Sequence, residues 1–456
     1  MPVEICVYAE PAIARPRVLW QAHANAFCWG LGNGLVSTTL ASYLAKEFGA
    51  QGLVLAFIFA SQHFAGGLRL CTPWILHWVG SRKWFAVGAF VVSCLLLLVL
   101  PEICEPGPLA DNAFKLRSFV ALWGGWHLAM YVGAIALWSW MGDLVESSVR
   151  GKFIGVRQSW LMAGQIVGML AAGVFAYWYP TWNVSATRWH TLAVPALAGG
   201  WCMLLAVLPL VWMPDVKLHL PERDHTSDLW AALTDRRFRP LLAFWCYLGL
   251  VNGVSQAVQG LYPIVVLKLP VWVPLAMTAL MHLGQVALSP VLGRLADRGQ
   301  ARTIMIVSQV LVSLALVFYP LVIRIPAPGQ VPFAYGIWIA HALWIAYAGL
   351  NVCLPHLMLK LSPCENSPPY ISTYFALSGL CIAVSSVACG YWFDGLPREF
   401  SIDLGVVSFD RFELFLYLGA FLRLTSIVWL YYLPRTAGAS AKIEEPKNVP
   451  QLSIDG

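Results

Sequence analysis

Long apolar runs alternate with short polar turns along most of the chain. A helix needs about 20 mostly apolar residues to cross the hydrocarbon core of a bilayer. By that measure the pattern predicts twelve membrane-spanning helices, numbered here in chain order. The predicted spans cover residues 19–44, 52–76, 84–103, 118–140, 153–177, 190–213, 239–266, 272–292, 303–323, 333–357, 371–393 and 412–433. Because the number of spans is even, both termini are expected on one side of the membrane.

The longest polar stretch between two spans runs from Pro214 to Arg239 and divides the spans into two sets of six. Residues 228–235 within it carry apolar positions at helical spacing. That spacing fits either a helix on the membrane surface or a solvated linker with one short helix. The predicted parts of the chain are a six-helix bundle over 1–213, a central loop over 214–238, a second six-helix bundle over 239–433 and a tail over 434–456.

The composition agrees with a membrane protein. Hydrophobic residues make up 59% of the chain and charged residues 11%, whereas soluble domains carry roughly 25% charged residues. The net charge of +6 is small and dispersed, so no nucleic-acid partner is expected. The sequence has no zinc-protease, P-loop or nucleophile-elbow motif, and we expect no enzyme. Its eleven cysteines lie mostly in apolar runs, so we expect neither a metal site nor a cofactor.

Basic residues are distributed unequally between the two sides. Of the 29 Lys and Arg residues, 19 lie on the side that holds both termini and 8 on the other. Cytoplasmic loops carry such an excess of basic residues, so the termini, central loop and tail are predicted to be cytoplasmic. We expect a multi-pass monomer in the cell (inner) membrane. The two remaining basic residues, Arg69 and Arg423, fall inside spans, and Arg423 needs a partner that the sequence does not identify.

The turn after span 8 contains an ordered set of residues, Gly293-Arg-Leu-Ala-Asp297-Arg298-Gly-Gln-Ala-Arg302. A related turn lies 220 residues earlier, after span 2, but has His77 in place of the acidic residue. Span 4 is followed by a third turn that contains Arg-Gly. The residues that characterise these turns are Gly80, Arg82, Lys83, Arg150, Gly293, Asp297, Arg298 and Arg302.

Together these features resemble the major facilitator superfamily of membrane transporters. The resemblance covers essentially the whole chain and implies an all-α membrane fold of twelve transmembrane helices in two pseudo-symmetric six-helix bundles. It implies that the bundles rock about a site near the bilayer midplane, which gives alternating access, and that the characteristic residues of the turns control its opening and closing. It also implies that Asp297 faces the first turn of span 5, whose free N–H groups favour a carboxylate. The flanking arginines are then available to pair with Asp297.

Polar side chains within the spans are the candidates for solute binding. Asn252, Gln256 and Gln259 share one face of span 7. Glycines interrupt span 7, which we expect to end at Pro263. The resemblance implies that spans 1, 2, 4, 5, 7, 8, 10 and 11 line the cavity, while spans 3, 6, 9 and 12 face lipid. The other candidates are the amides and histidines Asn25, Asn33, Gln62, His63, His127, Gln158, Gln165, His282 and Gln285.

Each candidate has a plainer interpretation as a hydrogen bond between helices, worth about 0.6 kcal/mol on average. No acidic residue lies in the middle of a span, although ion-coupled carriers commonly have one there. The sequence therefore predicts facilitated diffusion or coupling through histidine. Our interpretation is a secondary active or facilitative transporter of a small, uncharged or amphipathic organic solute. The alternative is a receptor or scaffold that retains the carrier fold without transport.

Overall fold

Helices occupy all twelve predicted spans in the computed structural model, which confirms the all-α fold class. It describes residues 16–47, 52–105, 112–146, 148–182, 188–216, 225–267, 269, 272–321, 335–363, 367–397, 399–403 and 408–433. The predicted tail lies outside these residues. Nine of the spans are single helices, with the bounds Pro16–Glu47, Arg82–Ile103, Asn112–Leu144, Arg150–Trp182, Arg188–Trp212, Arg239–Val265, Trp272–Leu295, Ala301–Phe318 and Ser367–Gly395.

Spans 2, 10 and 12 each consist of separate helical pieces. These are Gly52–Gly67 and Thr72–Val79 joined by the 3-10 turn Leu68–Cys71, then Tyr335–Trp344 and Tyr347–Leu361, and finally Arg411–Thr425 and Ile427–Tyr431. The prediction that glycines interrupt span 7 was wrong, because the helix is continuous. It ends at Val265, two residues after the predicted end at Pro263. Two of its glycines, Gly249 and Gly253, permit close packing instead. A Cβ atom at Gly253 would lie only 2.6 Å from the carbonyl oxygen of Ile382 in span 11.

Nine helical stretches among the described residues are long and apolar enough to cross a membrane. One of them, 273–318, contains both span 8 and span 9. The two helices meet at Gly299, whose φ of 83° is a conformation that glycine adopts without steric cost. Spans 3 to 12 are thereby accounted for. Spans 1 and 2 do not meet this measure in the described part of the chain, so their crossing of the membrane stays a prediction.

Helix packing divides the spans into two groups. In the first half, span 1 packs on spans 5 and 6, and span 3 packs on spans 4 and 6. In the second half, span 7 packs on spans 11 and 12, and span 9 packs on spans 10 and 12. The halves meet where span 5 contacts span 8 and where span 2 contacts span 11. The predicted bundle limits, 1–213 and 239–433, stay a prediction.

The connections on the second half are partly ordered. The central loop contains the helix His225–Thr234, which packs on spans 7 and 11 and fully buries Ala232. The helix expected from the apolar spacing is therefore observed, and it lies against the second half of the molecule, while its position relative to the membrane surface stays a prediction. Between spans 11 and 12, strands β1 (Ser401–Asp403) and β2 (Ser408–Asp410) pair antiparallel.

The orientation of the chain in the membrane stays a prediction, and reporter fusions test it. Fusions near Asp224 and after Arg435 are expected to report cytoplasm, because 19 basic residues lie on their side of the membrane. A fusion near Asn183 is expected to report the opposite side. All three positions lie outside the described residues. An external signal from the Asp224 fusion would contradict the predicted orientation.

Candidate functional site

The turns after spans 2, 4, 8 and 10 come together at one end of the molecule, which we call the basic end. There the Asp297 carboxylate accepts hydrogen bonds from the backbone N–H groups of Gly151, at 2.7 Å, and Lys152, at 2.8 Å. Both N–H groups belong to the first turn of span 5, where they have no acceptor within the helix. Burial raises the pKa of the Asp297 carboxyl, and these two hydrogen bonds oppose the rise. The placement of Asp297 implied by the resemblance is thus observed.

The backbones of the two halves touch beside this carboxylate. A Cβ atom at Gly293 would lie 2.3 Å from the carbonyl oxygen of Gly151. A Cβ atom at Gly151 would lie 2.6 Å from Asp297 Oδ1. Real Cβ contacts are not this short, so any side chain at either position would push span 5 and span 8 apart. Glycine is therefore required for this close approach.

The expected pairing of Asp297 with its flanking arginines was wrong. The Arg302 guanidinium lies over the ring of Tyr431, 4.6 Å from its centroid, and Arg298 is exposed. The first turn of span 5 takes both carboxylate oxygens instead. The imidazole of His356 in span 10 lies close as well, with Nδ1 3.7 Å from Asp297 Oδ1. Sequence reasoning missed His356, because no spacing pattern connects it with the turn after span 8.

A second polar network at the basic end connects the turn after span 2 with spans 4 and 11. Arg82 forms a buried ion pair with Asp143 at the end of span 4 and donates a 3.0 Å hydrogen bond to Ser139. Ser139 Oγ lies 2.8 Å from Ser367 Oγ in span 11, across the two halves. Asp143 therefore supplies the negative charge that the turn itself lacks at His77. The sequence could not show this partner, since Asp143 lies 61 residues further along the chain.

The other candidates of the basic end have local roles. Gly80 ends the helix Thr72–Val79 with a φ of 70°, and the Lys83 ammonium lies 4.9 Å from the Trp84 ring centroid. Arg150 donates to the carbonyl oxygens of Gly142, at 3.0 Å, and Leu359, at 3.2 Å. Since Leu359 belongs to span 10, Arg150 also joins the two halves.

A cavity of about 500 Å³ lies deeper in the molecule, among spans 7 to 12, with span 2 adding one residue. Spans 9 and 12 contribute Val312, Leu316 and Arg423 to its lining, so the expectation that these spans only face lipid was wrong. Trp344 and Tyr347 provide aromatic surface. The structure brings six predicted solute-binding residues to this cavity: His63, Asn252, Gln256, Gln259, His282 and Gln285.

The remaining candidates do not line this cavity. Asn25 donates a 2.8 Å hydrogen bond to the carbonyl oxygen of Ala206, which links spans 1 and 6. His127 Nδ1 lies 2.9 Å from the carbonyl oxygen of Trp123 on its own helix. These contacts fit the plainer interpretation as structural hydrogen bonds. The other residues outside the cavity lining are Asn33, Gln62, Gln158 and Gln165.

No protein-family model matches the chain, and no curated protein sequence matches it. Solved structures do match over nearly the whole length. The human organic anion transporter MFSD10 is 14% identical, with a TM-score of 0.61 over 91% of this chain and 100% of that one. The proton:xylose symporter XylE is 13% identical, with a TM-score of 0.60 over 92% and 96%. The nucleoside transporter NupG is 12% identical, with a TM-score of 0.57 over 91% and 98%.

The chain has the major facilitator superfamily fold. Identities this low establish the architecture alone. That architecture is the one implied by the resemblance that the spans and turns suggested. Within this fold, the contacts of Asp297 and Gly293 join the two bundles at one end, and the cavity lies away from that end. The solute-binding role of the cavity residues is a proposal.

Arg423 has partners in this fold that the sequence did not identify. Its guanidinium donates to Asn252 Oδ1 and, at 3.4 Å, to Gln309 Oε1. The Tyr347 ring centroid lies 5.8 Å away. The side chain is 3% exposed and belongs to the cavity lining. All of these partners are neutral, so none of them compensates the positive charge of the arginine beside the cavity.

Asp297→Asn is expected to favour the opening of the basic end. Asparagine keeps one acceptor but directs an N–H₂ group at the N–H groups of Gly151 and Lys152. The loss of a charge-assisted hydrogen bond costs about 1.5–3 kcal/mol, or roughly 10- to 150-fold in the equilibrium between conformations. Cysteine cross-linking between residues 139 and 367 measures the closed fraction. His77→Asn, at the related turn without a carboxylate, is the control, and equal cross-linking in all three proteins would contradict the latching role of Asp297.

Proposed function

We propose that this protein is a membrane transporter that moves a small organic solute by alternating access between its two bundles. The observation that carries the proposal is a cavity with amides and histidines in its lining, within a major facilitator fold whose two halves meet at the basic end through Asp297 and Gly293. Solved structures with this fold are named as transporters of organic anions, xylose and nucleosides. We place the basic end on the cytoplasmic side, so the closed end separates the cavity from the cytoplasm.

The cavity lining offers a specific binding surface. Asn252, Gln256 and Gln259 present amides that donate and accept hydrogen bonds. His282 and Gln285 lie 3.2 Å apart across one turn of span 8, and Gln285 donates to the carbonyl oxygen of Trp344. The amides suit hydroxyl, carbonyl or carboxylate groups of a solute. Histidine is the side chain whose ordinary pKa lies nearest to neutral pH. Among the described residues, His63 and His282 line the cavity, so coupling to protons would pass through them.

Solute counterflow in proteoliposomes tests the proposal. The purified full-length protein is loaded with unlabelled xylose, uridine or benzoate, and uptake of the same labelled solute is followed. We expect saturable counterflow of at least one of the three above that of protein-free liposomes. Binding of a solute without any counterflow would contradict transport and would favour the receptor or scaffold.

Gln256→Ala is expected to weaken binding of the transported solute by about 5- to 150-fold, because one hydrogen-bonding partner worth about 1–3 kcal/mol is lost. Gln256 is exposed to the cavity, so the melting temperature of the variant should stay near that of the wild type. Gln158→Ala, at a half-buried glutamine outside the cavity lining, is the control. Gln309 is unsuitable as a control because it contacts Arg423. Unchanged affinity with a lower melting temperature would show that Gln256 only supports the fold.

A further inference from the structure

Three arginines are buried within the spans without an opposite charge. Arg69 is 6% exposed, Arg157 is 8% exposed and Arg423 is 3% exposed. Arg69 packs over the Tyr131 ring at 3.7 Å, and Arg157 donates to Asn25 Oδ1 at 3.3 Å. No ion pair joins any of the three to a described carboxylate. A cation held in this way is costly in a low-dielectric interior and commonly marks a functional site.

Only one of these arginines belongs to the cavity lining. Arg423 lines the cavity beside Asn252 and Tyr347. Its Nε–H is buried and has no hydrogen-bond partner. Its terminal nitrogens donate to the side-chain oxygens of Asn252 and Gln309, which carry no charge. The guanidinium therefore has a buried Nε–H without a partner and no compensating carboxylate among the described residues, beside a cavity large enough for a small organic molecule.

The sequence places no carboxylate in the middle of a span. All 23 acidic residues lie in turns, in tails or near span ends. The nearest one before Arg423 along the chain is Glu413, ten residues earlier and therefore about 15 Å away along the helix. Glu413 is already engaged by the backbone N–H of Asp410 in a capping box. Among the described residues no carboxylate compensates Arg423, so a bound anion would supply the missing negative charge.

We propose that the transported solute is an organic anion whose carboxylate binds Arg423. This proposal rests on the proposed transport function and departs from the uncharged or amphipathic solute expected from the sequence. A carboxylate that displaces the Asn252 oxygen can accept hydrogen bonds from Nε–H and a terminal N–H₂ of the same guanidinium. That bidentate geometry is the arrangement that arginine favours with carboxylates. The freed Asn252 amide then faces the solute, and Gln256 binds its polar substituents.

Equilibrium binding to the full-length protein in nanodiscs tests this proposal with matched pairs of probes. The pairs are benzoate and benzamide, hexanoate and hexanamide, and lactate and lactamide, which differ mainly in charge. We expect at least one carboxylate to bind about tenfold or more tightly than its amide. Arg423→Gln should remove that preference and leave amide binding nearly unchanged. Arg423→Lys, which keeps the charge but loses the fork geometry, should give an intermediate affinity.

Arg157→Gln is the matched control, since it removes an equally buried arginine that does not line the cavity. It should keep the carboxylate preference. Equal affinity for carboxylate and amide in every pair, no binding of any carboxylate, or a preference that survives Arg423→Gln would overturn the proposal. If a neutral solute shows counterflow that is lost in Gln256→Ala, the proposal of an anionic solute is refuted while the transport function stands. Absence of counterflow for every solute would refute the transport function itself.

Discussion

Gly293→Val is expected to hold the basic end open. A Cβ atom at this position would lie 2.3 Å from the Gly151 carbonyl oxygen. Neither atom can rotate away, because the backbone fixes the positions of both. Forcing extra atoms into such a contact costs about 1–3 kcal/mol, which shifts the equilibrium between conformations by roughly 5- to 150-fold. The test introduces Ser159→Cys, deeper between spans 5 and 8, into a protein whose native cysteines have been replaced. In inside-out vesicles, this cysteine should then react faster with a membrane-impermeant maleimide.

Gly88→Val is the matched control for this substitution. Gly88 lies in span 3, and a Cβ atom there would meet nothing within 4 Å. It introduces the same valine into a membrane helix without affecting the contact between the halves. If the maleimide labels Ser159→Cys at the wild-type rate in both variants, the close approach of Gly293 and Gly151 does not control access from the basic end.

Asp143→Asn is expected to destabilise the protein strongly. The ion pair between Arg82 and Asp143 is buried, with side chains 4% and 12% exposed. Removing one partner of a buried pair leaves an uncompensated charge and costs about 3–5 kcal/mol. Chemical denaturation in mild detergent measures the loss. The double variant Arg82→Met, Asp143→Leu should lose less than Asp143→Asn alone, because it leaves no buried charge.

Glu105→Gln provides the comparison for that ion pair. Glu105 lies 3.7 Å from His190, and both side chains are more than two fifths exposed. Exposed pairs contribute less than about 1 kcal/mol. A stability loss for Asp143→Asn no larger than that for Glu105→Gln would show that the buried pair at the basic end contributes little.

The fold follows from the sequence because its cause is local. Apolar runs of about 20 residues have few alternatives in a bilayer, since every backbone polar group must be satisfied within the helix. The breaks were not predictable in this way. Span 7 carries glycines and Pro263 yet stays continuous, and span 11 packs directly on Gly249 and Gly253. That packing involves residues 129 positions away along the chain.

The candidate site was predictable only in part. The shared face of Asn252, Gln256 and Gln259 follows from helical periodicity, and all three reach the cavity. The charge of the cavity did not follow. Arg423 lies on a span expected to face lipid, and its contact with Asn252 joins residues 171 positions apart. Such a contact between two helices leaves no periodic signal, so the sequence suggested a neutral site where the structure has a buried cation.

Alternating access is the central claim, and paired distance measurements test it most directly. Double electron–electron resonance in liposomes would use two spin-label pairs. The first is at Val149 and Gln300, which are exposed at the basic end in opposite halves. The second is at Trp182 and Val266, which are exposed at the opposite end. The account predicts that Gly293→Val lengthens the first distance and shortens the second relative to the wild type. Two distances that stay fixed in both proteins, or that lengthen together, would contradict it.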